Sequence, residues 1–152
     1  MPRGFTLIEV LITAAIIATL ATITLPLSEL AIKRAKETEL RRALRDIRDA
    51  LDAYKRATDE GRVLRAADES GYPRALEDLV NGMPDAKSAS GAKVYFLRRI
   101  PRDPFQVEPV GIAWGLRSYE SPPNEPKAGK DVYDVYSLSD RNGLNGVPYR
   151  QW

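Results

Sequence analysis

The chain changes character near residue 33. Between Phe5 and Ile32 the only charged residues are Glu9 and Glu29, and from Val10 to Ser28 nineteen residues pass without a charge. That run is mostly Leu, Ile and Ala, with Thr13, Thr19, Thr22 and Thr24 interspersed. At ~1.5 Å rise per residue, a helix of this length just crosses a ~30 Å hydrocarbon core. A removed secretory signal is the rival reading, and it asks for a more basic start and a small-residue cleavage site behind the apolar core. Here Met1-Pro2-Arg3-Gly4 brings one Arg, while Leu30-Ala31-Ile32-Lys33-Arg34 continues the helical pattern. A retained membrane helix is the preferred reading.

Beyond residue 33 the pattern becomes amphipathic. Leu40, Leu44, Ile47, Leu51 and Tyr54 form one apolar stripe at helical spacing, with Arg41, Arg42, Arg45, Asp46 and Arg48 beside it. Asp59-Glu60-Gly61 ends the pattern, glycine being favoured just past a helix end. One helix from about Phe5 to Thr58 is predicted. Nine of the eleven prolines fall after residue 60, which leaves no room there for long helices. A short helix is predicted in Ala75–Val80, ending at Asn81-Gly82. Strands are predicted at Ile112–Tyr119 and Asp131–Leu138, which are alternating or aromatic-rich. The expectation is an α+β fold: a long N-terminal helix, membrane stem then stalk, carrying a small antiparallel sheet of two to four strands.

Composition narrows the chemistry. The 152 residues carry 23 Lys+Arg and 21 Asp+Glu, a formal charge of +2, with no Cys and no His. Disulfides, thiol nucleophiles, Cys/His metal sites and His-based acid–base catalysis are excluded. Near-neutral balance argues against a general nucleic-acid binder. The chain carries no Gly-rich phosphate loop and no Gly-x-Ser-x-Gly, so the expectation is a protein that is not an enzyme. Two residues of the stem invite a role. Glu9 is a carboxylate in an apolar stretch, where a charge costs ~2.5–3.5 kcal/mol on insertion scales and usually has a partner. Pro26 removes one backbone hydrogen bond inside the helical pattern and favours a kink or local melting.

Gly4-Phe5-Thr6-Leu7-Ile8-Glu9-Val10-Leu11-Ile12 resembles the class III signal of type IV pilins and type II secretion pseudopilins. The resemblance implies a four-residue leader (1–4) cut between Gly4 and Phe5 by a prepilin peptidase, with Phe5 then N-methylated. It implies that Glu9 neutralises the amino terminus of a neighbouring subunit, and that Pro26 is where filament helices lose regularity. Residues 5–32 become the transmembrane and assembly helix, and 33–152 a periplasmic head that includes stalk helix 33–58. A positive-inside count on Lys33, Arg34 and Lys36 would put that head in the cytoplasm; the resemblance puts it outside.

Further along, Tyr72-Pro73, the run Tyr95–Phe105 with its Pro101-Arg102-Asp103-Pro104, Trp114–Tyr119 and Tyr133–Ser137 resemble the major (G-type) pseudopilin. That implies a structural subunit polymerising into a periplasmic pseudopilus that drives export of folded proteins across the outer membrane. Its partners would be copies of itself in a helical filament, an inner-membrane assembly platform and minor pseudopilins, with the subunit held in the inner membrane by a single pass before assembly. A type IV pilin or minor pseudopilin is the alternative. In that family calcium often staples the C-terminal loop; the matching residues here are Asp140, Asn142 and Asn145, with Asp134 in possible reach. Calcium prefers several carboxylates, and Arg141 interrupts this set. The other reading is a turn in which Asp and Asn bond their own backbone and Gly143 and Gly146 take positive φ. The turn is favoured, and no cofactor is firmly expected.

Overall fold

The computed structural model describes residues 4–106 and 114–152, without the side chains of residues 22–26. The chain divides into two compact units, Met1–Lys36 and Glu37–Trp152. Helix α1 runs from Leu7 to Asp59, 53 residues, matching the predicted element within two residues at each end. The helix continues through position 26, so the proline does not end it. The α+β architecture is the expected pilin-like one, a long N-terminal helix with small antiparallel sheets.

In the second unit the predicted stripe is the core. Leu40, Leu44, Ile47, Leu51 and Tyr54 are all buried, and Ala43, Ala50 and Ala57 recur at seven-residue spacing beside them. The alanines lower that face of the helix, so other elements can pack close to its backbone. Val63, Leu76, Leu79, Phe105, Trp114, Val132, Val135 and Tyr149 complete one cluster with these residues. A buried Leu or Ile contributes ~1.5–3 kcal/mol, so this stripe is what holds the helix in its head.

After α1 come helix α2 (Asp78–Asn81), strands β1 (Met83–Pro84), β2 (Lys93–Val94), β3 (Trp114–Arg117) and β4 (Asp134–Ser137), and a 3-10 turn at Tyr149–Gln151. The strands form two separate antiparallel pairs, β1 with β2 and β3 with β4. Trp114 faces Ser137 and Arg117 faces Asp134 across the second pair. The predicted short helix is present but begins later, at Asp78, whose carboxylate accepts the Arg74 and Ala75 N–H groups. The β1–β2 pair was not foreseen, because two-residue strands carry no alternation to read.

Both predicted strands are shorter than expected. Ile112 and Ala113 lie outside the described residues. At the other end the Asp131 carboxylate accepts the Ser118 hydroxyl and the Tyr119 N–H, both at 2.8 Å, while the Val132 N–H donates to Pro73. The Ser118 N–H donates to the Lys127 carbonyl, so the main-chain donors of Ser118, Tyr119 and Val132 are all engaged elsewhere, and the pairing stops at Arg117 and Asp134. The Pro-x-Asp-Pro segment is anchored comparably. Asp103 is buried, accepts the Phe105 N–H at 2.8 Å and receives the Ser137 hydroxyl at 2.5 Å. The Trp114 indole N–H donates to the Pro101 carbonyl.

Candidate processing and assembly site

The N-terminal unit is a helix with its apolar side chains unburied. Phe5 is 87% exposed and Leu7 81%, and Ile8, Val10, Leu11, Ile12, Ile16, Ile17, Leu20, Leu27, Leu30 and Ile32 are exposed as well. Apolar on all sides and covered by no described residue of its own unit, such a helix favours another apolar environment. Thr13 donates to the Glu9 carbonyl at 2.9 Å and Thr19 to Ala15 at 2.8 Å, so their hydroxyls are satisfied within the helix. Among the described residues, which omit the side chains of 22–26, no helix is long and apolar enough to cross a membrane. The membrane span expected over 5–32 therefore rests on the sequence. Pro26 itself has no described side chain.

Gly4 sits just before the helix, and a Cβ built there would meet nothing within 4 Å. Among the described residues no close contact asks for glycine at this position. Phe5 follows, exposed and outside the helix.

Glu9 has a local role that sequence reading missed. The Thr6 N–H and the Thr6 hydroxyl both donate to Glu9 Oε2 at 2.8 Å, and the Glu9 N–H approaches Thr6 Oγ1 at 3.4 Å. This is a reciprocal capping box, with Thr6 at the cap and Glu9 at the third helical position. The Thr-x-x-Glu spacing could have revealed it. Glu9 thus holds the first turn of α1 together two residues from the Gly4–Phe5 bond.

A protein-family model described as the prokaryotic N-terminal methylation motif matches residues 2–25. The start of this chain carries the methylation motif of type IV pilin-like proteins. That motif supports the pilin and pseudopilin superfamily and implies, in general terms, a membrane-anchored precursor, prepilin peptidase processing and filament assembly. No curated protein and no solved structure matches the chain significantly.

Three of the four calcium donors suggested by the resemblance have side chains engaged within the protein. Asp134 accepts the Arg48 Nε at 2.8 Å and the Val135 N–H. Asp140 is paired with Arg150. Asn145 Oδ1 accepts the Val147 N–H at 3.1 Å, and Asn142 bridges to Pro148. Among the described residues no group of three or more acidic, His or Cys side chains is placed to hold a metal. The loop itself closes as a turn, Gly143 N–H to the Val147 carbonyl and Gly146 N–H to the Gly143 carbonyl. Gly146 has φ +80°, as expected. Gly143 does not take positive φ; it is needed for close approach, since a Cβ there would lie 2.5 Å from Trp152 Cζ2.

What ties this loop down is Glu37, a residue the sequence did not single out. It is 5% exposed, and its Oε1 accepts the Leu144 N–H at 2.7 Å and the Tyr149 hydroxyl at 3.0 Å. Tyr149 is fully buried, stacked on Phe105 at 4.1 Å between centroids and edge-on to Trp152. Burial, then its bond to the Glu37 carboxylate, pushes the Tyr149 hydroxyl up to about 12. Arg41 lies over the Trp152 ring at 4.3 Å, and Arg48 donates to the Trp152 main-chain oxygen. The three helix residues 37, 41 and 48 lie on one side of α1.

Proposed function

We propose that this chain is a filament subunit of the type IV pilin-like kind and, within that group, the major pseudopilin of a type II secretion system. The observation that carries the reading is the helix of unburied apolar side chains from Phe5 to Ile32, headed by the methylation motif. Such a surface is compatible with two environments in succession, lipid before assembly and the packed stems of neighbouring subunits afterwards. Cleavage between Gly4 and Phe5 creates a new cation two residues from the helix start. In a low-dielectric bundle a lone cation or a lone carboxylate is costly, whereas the pair is tolerable, so Glu9 meeting a neighbour's amino terminus sets the stagger between subunits. Pro26 gives the stem a place to lose regularity as it packs. The head stands in the periplasm, and growth of the filament drives folded proteins across the outer membrane.

Mass spectrometry of the protein from cells with an active prepilin peptidase tests this. The expected species starts at Phe5 and is one methyl group heavier than the bare fragment; unshortened protein overturns the reading. Deleting the gene and scoring export of a folded reporter against surface pili then separates the pseudopilin from the type IV pilin alternative. Lost export with pili intact supports the pseudopilin.

A further inference from the structure

The second unit contains a recess of about 950 Å³ between the end of α1, the 64–78 segment and the 118–131 loop. Tyr54, 6% exposed, is one of the residues that line this recess. Tyr119 is 59% exposed at the rim; one side of its ring stacks on Tyr72 at 6.0 Å, and Tyr133 meets both rings edge-on. Five carboxylates and three cations line the cavity. Arg74 is neutralised by Glu69, and Arg65 donates to the Glu69 carbonyl. Asp131 is saturated by Ser70, Ser118 and the Tyr119 N–H. Asp68 and Glu120 have no partner among the described residues, against Lys130 as the one cation in the same condition. The field inside is therefore negative. Consistent with this, burial and then the Asp78 and Glu69 carboxylates hold the Tyr54 hydroxyl above its usual range.

We propose that this recess docks an extended, arginine- or lysine-bearing segment of another polypeptide. The cationic group lies against the exposed face of Tyr119 within reach of Asp68 and Glu120. Aromatic faces attract guanidinium and ammonium groups, and unpaired carboxylates beside such a face add to that attraction. The volume decides between a peptide and a small free cation. A cavity near the upper end of the ~300–1,000 Å³ ligand range holds several residues, whereas a lone cation would leave most of it to water. This site is independent of the stem and of the filament reading.

The test uses the full chain in detergent micelles and fluorescence anisotropy of a labelled Gly-Arg-Gly-Arg-Gly peptide, with Gly-Gln-Gly-Gln-Gly and spermidine as comparisons. The arginine peptide should bind at least about tenfold tighter than the glutamine peptide. Tyr119→Ala should weaken it about threefold while Tyr119→Phe keeps it. The pair Asp68→Asn with Glu120→Gln should cost about five- to tenfold, with circular dichroism unchanged. Asp46→Asn, an exposed carboxylate on α1 outside the recess, should change nothing. Equal weakening by Asp46→Asn, spermidine displacing the peptide at the peptide's own concentration, or no arginine–glutamine discrimination would each overturn the proposal. So would a photocrosslink at position 119 that captures only a second copy of this chain.

Discussion

Glu9→Gln separates the capping role seen in the structure from the pairing role proposed for Glu9. In the structure its Oε2 accepts two bonds from Thr6 at 2.8 Å, and a glutamine amide oxygen can accept both, so the capping box survives. What glutamine removes is the charge. If Glu9 balances a neighbour's amino terminus in the filament interior, the variant leaves that cation unpaired, at a cost of ~3–5 kcal/mol per subunit interface. At ~1.4 kcal/mol per decade, the critical concentration for assembly rises by about 100-fold or more. Thr6→Ala does the converse, removing the cap's side chain and keeping the charge, for ~1 kcal/mol and about a fivefold rise. The assay is sedimentation of processed, full-length protein as detergent is withdrawn, with helix content followed by circular dichroism. Glu9→Gln subunits pelleting at the wild-type threshold would refute the pairing role and leave Glu9 as a helix cap alone.

Other outcomes follow from the same contacts. Tyr149→Phe should destabilise the head by ~1–2 kcal/mol in thermal melts, because buried Glu37 keeps only the Leu144 N–H as donor. The Tyr149 hydroxyl is raised from 10.0 to about 12, so its contribution is complete below pH ~10 and is lost as pH rises toward 12. Melting temperature should fall across that window, and less steeply in Tyr149→Phe. Gly143→Ala should cost ~1–3 kcal/mol by pushing Trp152 off the loop, read as a red shift in tryptophan emission. Since Asp134, Asp140 and Asn145 are engaged by Arg48, Arg150 and the Val147 N–H, millimolar calcium should not raise the melting temperature over chelator. A rise abolished by Asp140→Ala would show that the ion displaces those partners.

Helix α1 was legible in the sequence because each of its signals is local. The uncharged run, the 40-44-47-51-54 stripe and the stop before Gly61 all lie within a few turns of the residues they govern, and the backbone obeys them. The β3–β4 pair was legible in outline, since its strands carry aromatic and alternating residues, but its Arg117–Asp134 end was not: there the Ser118 N–H goes to the Lys127 carbonyl and the Tyr119 N–H to Asp131. The same holds for Glu37. Among the charged neighbours of its helix it reads as a solvated residue, yet its partners lie 107 and 112 positions away. Arg48 reaches residues 86, 87 and 104 positions distant. The recess around Tyr54 joins segments separated in the chain by up to 77 residues, from Tyr54 to Asp131. Periodicity reports what a segment does with its own neighbours, so it announced the helix. Which polar group closes a loop, ends a strand or walls a cavity depends on what the hydrophobic core brings beside it, and that only the folded chain decides.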